Sequence, residues 1–526
     1  MPKIISIFAK HSFLILFLLI YFSISFFTYK DFGITDDEAL ERNAASDLLS
    51  YISKPTTTNS ITDEDYNDTV FEKGGHHPLI SKYQRYYQLL QRVLNPKGYY
   101  EWDHLINLAF GSLFFVFTYI IFYIQFKSTL KSMIGVTFLA LTPRLIGHIP
   151  INNKDVPFAL FYLASLIVIL ITSKYKMNSC LKIIILGLIF GITQTNRAVG
   201  FSIYIVYILY FIFTATQNKT LSKQNLVNFA LELISIGLIS ISVSIAFFPW
   251  LGSNLITNIK ELLLNSQNYH EWDNLILFNG KFITKDQRPW YYLFTWIFIT
   301  TPVFMLGLLG FGVTRIKSFL KNPLSLIMII ALFVNISLYL IIQPVVYNGL
   351  RHFLFLIPPL VLFSACSFID LLNRLKGKLK VTLIFLVMFN SSLIISSYIQ
   401  LHPYEYIYFN ELIGELKGAQ GKYDTDYWGL TYKEATEWIL NQPDTKENTY
   451  VLACDQYFSV QYFSKEQFKM LSGSAKPLYG TCETDTQSKR EFMLIQERPG
   501  GTIIYEIKRM GVILNKIKKY DPNLYF

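Results

Sequence analysis

Three consecutive acidic residues, Asp36, Asp37 and Glu38, follow an uncharged apolar run from Phe13 to Tyr29. Adjacent carboxylates repel one another and resist removal from water, so such a cluster at the end of a hydrophobic helix is either solvated or held for chemistry. The chemistry open to a carboxylate there is general base catalysis, in which it removes a proton from an attacking hydroxyl group. Acids in a loop after a membrane span are commonly only solvated, so the neighbouring motifs decide between the two interpretations.

A second polar cluster lies in a short turn between two apolar runs and contains Arg144, His148, Lys154 and Asp155. Asp155 opens the second of these runs, where the helix dipole favours an acid, so N-capping alone would explain it. Two cations and a histidine in so short a turn exceed what capping requires. The functional interpretation is a polar floor beside Asp37, at which the three basic residues meet an anion.

Two further cations stand at the ends of apolar runs. Arg197 lies between two runs that nearly abut, and Arg351-His352 directly precedes another run. A guanidinium at the membrane edge suits a lipid-linked phosphate, because its planar fork matches the phosphate oxygens and it stays charged. A lone arginine at such a boundary is also often a snorkelling anchor.

The composition indicates which elements position these residues. The 526 residues are 52% hydrophobic and only 16% charged, whereas soluble proteins carry roughly a quarter charged residues. We therefore predict a mainly α, polytopic membrane protein with about 11 transmembrane helices. The apolar runs that predict them cover 11–29, 105–126, 132–142, 156–172, 181–193, 198–214, 228–250, 291–314, 324–342, 353–370 and 381–399.

The distribution of lysine and arginine predicts the orientation of the chain. Every second loop between the apolar runs is cationic, which places those loops in the cytoplasm together with the N-terminus. These clusters account for the net charge of +10 better than nucleic-acid binding does. All the polar motifs above then fall on the outer side, and a bacterial inner membrane is the expected location. The centres of the runs lack ionisable residues, which disfavours ion-coupled transport.

The outer segments carry their own predicted elements. Residues 30–104 form the first outer loop, with interfacial amphipathic helices predicted at 39–51 and 79–94. A further amphipathic helix is predicted at 255–264, and Asn279-Gly280 predicts a turn.

The composition becomes soluble-like after residue 400. We predict a transmembrane domain over 1–400 and a small extracytoplasmic α/β domain over 401–526. Cys454 and Cys482 could form a disulfide if this domain faces an oxidising compartment. The predicted helices of this domain are 405–416 and 432–440, and the predicted strands are 450–453, 456–463 and 502–508.

Four motifs occur in an order that resembles the integral-membrane GT-C glycosyltransferases, within them the family 39 group of protein O-mannosyltransferases and lipid A aminoarabinose transferases. The motifs are Asp37-Glu38, Asp155-Val156-Pro157, Thr195-x-Arg197-x-x-Gly200 and the stretch from Arg351 to Pro359. The resemblance covers roughly residues 10 to 400. The turn before Asp155, with segments at 402–406 and 426–429, also looks like a little-characterised bacterial branch of the group. The family more often has lysine where Arg197 stands.

The resemblance implies that a sugar is transferred, with inversion, from a polyprenyl- or dolichyl-phosphate donor to a lipid, glycan or protein acceptor on the outer face. Asp37 matches the first acid of the family's pair and is the expected base, with Glu38 and Asp155 as further catalytic acids. Asp36 is expected to be dispensable. The residues expected to bind the donor phosphate are Arg197, Arg351, Arg144 and Lys154, and those expected to make other substrate contacts are Asp36, His148 and His352.

Two other functions stay open on the sequence. A non-catalytic transporter or flippase of a lipid-linked substrate would use similar outer cations, and a sensor or assembly factor would use the soluble tail. Transfer chemistry requires Asp37, whereas a binding or flipping role should tolerate asparagine there. No cofactor is expected and no metal site is indicated, although His76-His77 with Asp36 is one conceivable ligand set.

Overall fold

The structure is a computed structural model of the chain. It describes residues 10–35, 37–38, 41, 85–247, 251–252, 254–267, 275–443, 450–453, 477–483, 489–490, 493–494 and 501–519. The predicted helix at 39–51 apart from residue 41, the strand at 456–463, Cys454 of the predicted disulfide, and Asp36 with His76 and His77 lie outside these residues.

The described chain is mainly helical, as predicted. Eight helices are long and apolar enough to cross a membrane, namely Tyr100–Phe126, Asp155–Lys174, Ser179–Asn196, Ala198–Gln217, Lys223–Phe247, Pro323–Ile342, Arg351–Arg374 and Gly377–Leu401. Three shorter apolar helices, Ser12–Thr28, Thr129–Ala140 and Val303–Thr314, coincide with the remaining runs. The protein is therefore an integral membrane protein, and eleven crossings stay a prediction.

Two of these helices form the centre of the bundle and fix the position of the site. Asp155–Lys174 and Arg351–Arg374 are the most buried of the eight. The second begins as a 3-10 turn, Arg351–Leu356, before the α-helix Ile357–Arg374. A site residue is therefore the first residue of each central helix.

The predicted span at 291–314 is broken in the structure. It consists of two helices, Tyr292–Thr300 and Val303–Thr314, because Pro302 has no N–H group to continue the first. Asn410 completes the break, since its side-chain amide donates to the carbonyls of Phe298 (2.6 Å) and Thr301 (2.7 Å).

The loops between the apolar helices contain short elements of the predicted kinds. The described part of the first loop includes the helix Arg85–Leu94, and the helix Leu255–Gln267 matches the other amphipathic prediction. Asn279 and Gly280 have φ of +52° and +76°, which is the geometry of a two-residue hairpin turn. Remaining short elements are the helices Pro143–His148 and Ile316–Phe319, the 3-10 turn Lys285–Gln287, and the paired strands Ile276–Phe278 and Lys281–Ile283.

The predicted helix at 405–416 is wrong. The structure has two 3-10 turns, Glu405–Ile407 and Glu411–Ile413, followed by the short helix Glu415–Ala419. The reason is packing, because Tyr404, Tyr406 and Tyr408 are all buried in the same core as the transmembrane helices, and they alternate along the chain rather than following a helical period. The segment also runs close to Gly147, where a Cβ atom would lie 2.2 Å from the backbone nitrogen of Tyr406.

The rest of the tail is an α/β unit. Helix Thr431–Leu440 precedes a four-stranded sheet, and Asn515 of this sheet donates to the Thr431 hydroxyl at 3.2 Å. The sheet contains Tyr450–Ala453, Pro477–Glu483, Val512–Lys519 and Thr502–Arg509 in spatial order, with the first pair parallel and the others antiparallel. Two short strands, Lys489–Arg490 and Met493–Leu494, form a separate pair. The domain division at residue 400 stays a prediction.

Candidate active site

Asp37 and Arg351 form an ion pair at the end of the helix bundle. The Asp37 Oδ2 atom lies 2.8 Å from Arg351 Nη1, and the two side chains are 20% and 8% exposed. The guanidinium also lies over the rings of Tyr347 and Trp428, at 4.8 Å and 5.1 Å from their centroids. These aromatic faces and the ion pair fix the arginine at the start of a central helix while the carboxylate stays partly accessible.

Asp155 pairs with Arg197, and a neighbouring asparagine holds the turn. Arg197 Nη2 contacts Asp155 Oδ1 directly. The Asn152 side chain accepts the backbone N–H groups of Lys154 (3.1 Å) and Asp155 (2.7 Å), and its amide donates to Asp155 Oδ2 at 3.1 Å. Asp155 stands in the first turn of its helix, where the dipole favours an acid, but the N–H groups are accepted by Asn152 and the Asp155 carboxylate contacts the guanidinium.

Lys154 pairs with Glu41, a residue that the sequence analysis did not single out. The Lys154 Nζ atom is 3.1 Å from Glu41 Oε1, and both side chains are largely buried. Burial opposes the charged form of Lys154, but the carboxylates of Glu41 and Asp37 outweigh it and raise the pKa of the lysine. The sequence feature that could have identified Glu41 is its spacing, because residues 37 and 41 are one helical turn apart and such residues lie on the same face of a helix.

Glu38 faces a different environment from Asp37. It is 3% exposed, and its Oε1 atom lies 3.0 Å from Nε2 of the buried His104. Its other oxygen accepts the backbone N–H (2.8 Å) and the hydroxyl (3.0 Å) of Thr35. Glu38 therefore anchors the acidic segment to the helix bundle.

The ion pairs belong to one electrostatic cluster. Lys154 is acted on by Asp37 and Arg197, and Arg351 by Asp155 as well as Asp37. His352 is within range of all three cations and packs its ring 4.5 Å from that of Tyr347. The structure thus brings together most of the predicted residues. The cluster consists of the cations Lys154, Arg197 and Arg351 and the carboxylates Asp37, Glu41 and Asp155.

Arg144 does not join these pairs. Its side chain is fully buried, with the guanidinium 4.6 Å from the ring centroid of Phe409 and 5.2 Å from that of Trp296. Its Nε–H donates to the carbonyl of Tyr408 at 2.8 Å. Burial lowers the pKa of Arg144 to about 10, so the side chain stays charged at neutral pH. This complete burial does not favour the predicted contact of Arg144 with a donor phosphate.

His148 is a second predicted site residue that takes no part in the ion pairs. Its Nδ1 atom bonds the carbonyl of Arg144, so Nδ1 carries the proton and Nε2 accepts the Tyr427 hydroxyl at 2.9 Å. Burial lowers the pKa of His148 to about 3, and the ring is neutral at physiological pH. His148 therefore positions Tyr427, whose ring lies against Gly349, a residue with φ of +68° just before Arg351.

The tail contributes residues that sequence reasoning did not place at the site. Trp428 stacks on Arg351, and Asp426 accepts hydrogen bonds from the backbone of Leu430 (3.0 Å) and Thr431 (3.0 Å) at the start of a helix. In the sequence, the segment 426–429 stands out only through the family resemblance. Arg288 stabilises the loop before Arg351, because its guanidinium donates hydrogen bonds to the carbonyls of Pro344 and Val346.

The described residues include no group of three His, Cys, Asp or Glu side chains placed to hold a metal ion.

No family model and no curated protein matches the chain. A crystal structure of ArnT from Cupriavidus metallidurans bound to undecaprenyl phosphate is similar over 96% of this chain and 98% of that one, at 10% identity and a TM-score of 0.52. The apo form of the same ArnT gives 10% identity, 96% and 97% coverage and a TM-score of 0.49. The archaeal oligosaccharyltransferase AglB from Archaeoglobus fulgidus, in complex with an inhibitory peptide and a dolichol-phosphate, gives 14% identity, 90% and 70% coverage and a TM-score of 0.44.

The first of these likenesses shows the fold. The chain has an ArnT-like GT-C fold over almost its whole length, which confirms the fold class predicted from the sequence.

Proposed function

We propose that this protein is a glycosyltransferase that moves a sugar from a polyprenyl-phosphate donor to an acceptor on the extracytoplasmic face of the membrane. The observation that carries the proposal is the Asp37–Arg351 ion pair, a partly accessible carboxylate beside a fixed guanidinium at the end of an ArnT-like bundle. A bacterial inner membrane is the proposed location, and the acceptor is a lipid, glycan or protein.

The cations of the cluster would hold the donor phosphate. Arg351, Arg197 and Lys154 lie within electrostatic range of one another around His352, and guanidinium groups match phosphate oxygens geometrically. Each cation is paired with a carboxylate, so an incoming phosphate competes with Asp37 for Arg351. Because the leaving group is a stable anion, electrostatic stabilisation by these cations matters more than its protonation.

The proposed reaction is a single displacement. The acceptor hydroxyl oxygen attacks the anomeric carbon, the bond from that carbon to the phosphate oxygen breaks, and the bonding electrons leave with the lipid phosphate. Asp37, released from Arg351 by the phosphate, takes the hydroxyl proton. Attack opposite the leaving group inverts the anomeric configuration.

The other acids have supporting roles in this proposal. Asp155 orients Arg197, Glu41 orients Lys154, and Glu38 with His104 fixes the segment that carries Asp37.

Donor turnover by the purified chain tests the proposal. Polyprenyl-phosphate sugars are incubated with the protein and a bacterial envelope fraction that supplies acceptors, and release of polyprenyl phosphate is followed. Wild type is expected to release it from at least one donor. Arg351→Gln is expected to weaken donor binding roughly 10- to 100-fold, because a charge-assisted contact contributes about 1.5–3 kcal/mol.

The matched control is Arg374→Gln, which breaks the exposed pair of Arg374 with Asp370 (2.7 Å) at the other end of a central helix. It should leave turnover unchanged. Tight binding of the donors without release from any of them would contradict transferase activity and support a flippase.

A further inference from the structure

Arg144 presents a buried charge that the ion-pair cluster does not neutralise. Its side chain has no exposed surface, and neither terminal nitrogen has a hydrogen-bond partner in the described part of the chain. The groups that act on its charge are the phenols of Tyr427, Tyr406 and Tyr292 rather than carboxylates. The Tyr427 hydroxyl comes near the guanidinium but falls short of hydrogen-bond geometry. A buried cation with unused donors is costly unless an acceptor or an anion meets it.

A small cavity borders this arginine. Hydroxyl-bearing Thr142, Thr300 and Thr301 line it beside Arg144, and apolar side chains such as Phe353 and Leu356 form the rest of its wall. The centre of a water-sized sphere has about 10 Å³ of free space in the cavity, which is room for one water molecule or one small ion. A phosphate or a carboxylate-bearing molecule is too large for it.

The neighbouring titratable groups add no negative charge at this point. His148 is neutral at physiological pH because burial lowers its pKa to about 3. Trp296 lies under the guanidinium with its ring and is not part of the cavity wall. The guanidinium therefore offers a positive charge and two unused donors beside the cavity, which suit an anion.

We infer that the cavity beside Arg144 is a binding site for a small inorganic monoanion of the halide class. The guanidinium supplies the charge and two donor groups, and Thr301 brings a hydroxyl to the wall, whereas the hydroxyls of Thr142 and Thr300 donate to the carbonyls of Phe138 (3.1 Å) and Trp296 (2.6 Å). The bound ion stabilises the contact between the helix Pro143–His148 and the tail segment that includes Tyr408 and Phe409. This inference is independent of the proposed transferase function.

Thermal unfolding of the full-length protein in detergent tests the inference. The Tm is measured in sodium chloride, sodium bromide and sodium gluconate at equal ionic strength. Both halides are expected to raise the Tm relative to gluconate, and the increase should saturate with concentration because the ion binds the folded state. In Arg144→Gln the halide-dependent increase should be lost, whereas Arg374→Gln should retain it.

A second variant covers the case in which Arg144→Gln does not fold. Thr301→Val keeps the cation and the side-chain shape but removes a hydroxyl from the cavity. The halide concentration that gives half of the maximal Tm increase should therefore be higher in this variant than in wild type. Equal Tm values of the wild type in halide and gluconate would overturn the inference and indicate a cavity that holds water. Retention of the full increase in Arg144→Gln would overturn it as well.

Discussion

Asp37 and Glu38 are neighbours in the sequence but have different environments. Asp37 is partly accessible and shares the Arg351 guanidinium, whereas Glu38 is buried against His104 and Thr35. A carboxylate that must exchange partners with a substrate has to be reachable, and Asp37 meets that condition. This difference supports Asp37 as the proposed base.

His402 gives a pH-dependent prediction. Its Nε2 atom lies 2.9 Å from Asp31 after the first helix, and its Nδ1 atom lies 2.7 Å from Glu405 in the tail. Burial alone would lower the pKa of His402, but the two carboxylates raise it from 6.5 to about 9. Because the folded-state pKa exceeds the unfolded one, the charged histidine stabilises the fold fully below pH ~6.5, and this stabilisation is lost as the pH rises through about 9.

The Tm difference between wild type and His402→Gln should therefore be largest at pH ~6.5 and should shrink to nothing towards pH ~10. Asp31→Asn leaves one carboxylate beside His402. In that background, the pH at which the Tm difference disappears should be lower. A difference between wild type and His402→Gln that stays constant over the whole range would contradict the assignment.

The site residues that carry charge at helix ends could be predicted from the sequence. Asp37, Asp155, Arg197, Arg351 and Lys154 were all recognisable because charge at the boundary of an apolar run is costly and therefore conspicuous. Their pairing was not predictable, since it joins residues as far apart as 37 and 351. His104 was missed because a histidine in an apolar helix has no local signature of function, and Trp428 entered the sequence analysis only through the resemblance of segment 426–429, without a role.

Among the elements, the helix Arg85–Leu94 is fixed over the site by amide hydrogen bonds. Asn107 accepts from the Tyr87 hydroxyl (2.6 Å) and the Gln91 amide (2.9 Å), and donates to the carbonyl of Pro150 (2.6 Å). This network joins the outer loop to the turn that contains Lys154 and Asp155.

Replacement of Asn107 by leucine should release this helix. Three buried polar partners would lose their hydrogen bonds, at a cost of about 3 kcal/mol or more. Hydrogen exchange should accelerate in Arg85–Leu94 and the Tm should fall. Asn228→Leu, on the exposed face of Lys223–Phe247, is the control that should change neither. Unchanged exchange in Arg85–Leu94 would show that the amides do not hold it.

The transmembrane elements were predictable because long apolar runs have few other structural solutions. The break at Pro302 and the irregular segment after His402 were not predicted from the runs. Both depend on contacts between distant parts of the chain, such as Asn410 with the carbonyls of Phe298 and Thr301. The strand Val512–Lys519 was also missed, because its turn is formed by Met510-Gly511 rather than by a strong turn pair.

At the scale of the whole molecule, the tail begins as part of the transmembrane core. Tyr404, Tyr406 and Trp428 belong to the same buried cluster as the central helices. The soluble-like composition after residue 400 therefore did not reveal that this part of the tail packs into the core of the helix bundle, with Trp428 against Arg351.

The orientation of the chain makes a prediction that Cys180 can test. Cys180 is exposed at the start of the helix Ser179–Asn196, beside loop lysines predicted to be cytoplasmic. In a variant with Cys454 and Cys482 replaced by serine, a membrane-impermeant maleimide should label Cys180 only after the inner membrane is permeabilised. The buried Cys366 should stay unlabelled in the folded protein. Labelling of Cys180 in intact spheroplasts would reverse the proposed orientation.

The most direct test of the central claim compares Asp37→Asn with Asp370→Asn in release of polyprenyl phosphate at saturating donor. Both substitutions remove the carboxylate of an Asp–Arg pair, but only Asp37 lies at the proposed site. If Asp37 is the base, its variant should bind donor at least as well as wild type and turn over roughly 10²- to 10⁴-fold more slowly, while Asp370→Asn keeps full activity. Turnover of Asp37→Asn equal to that of wild type would contradict the account.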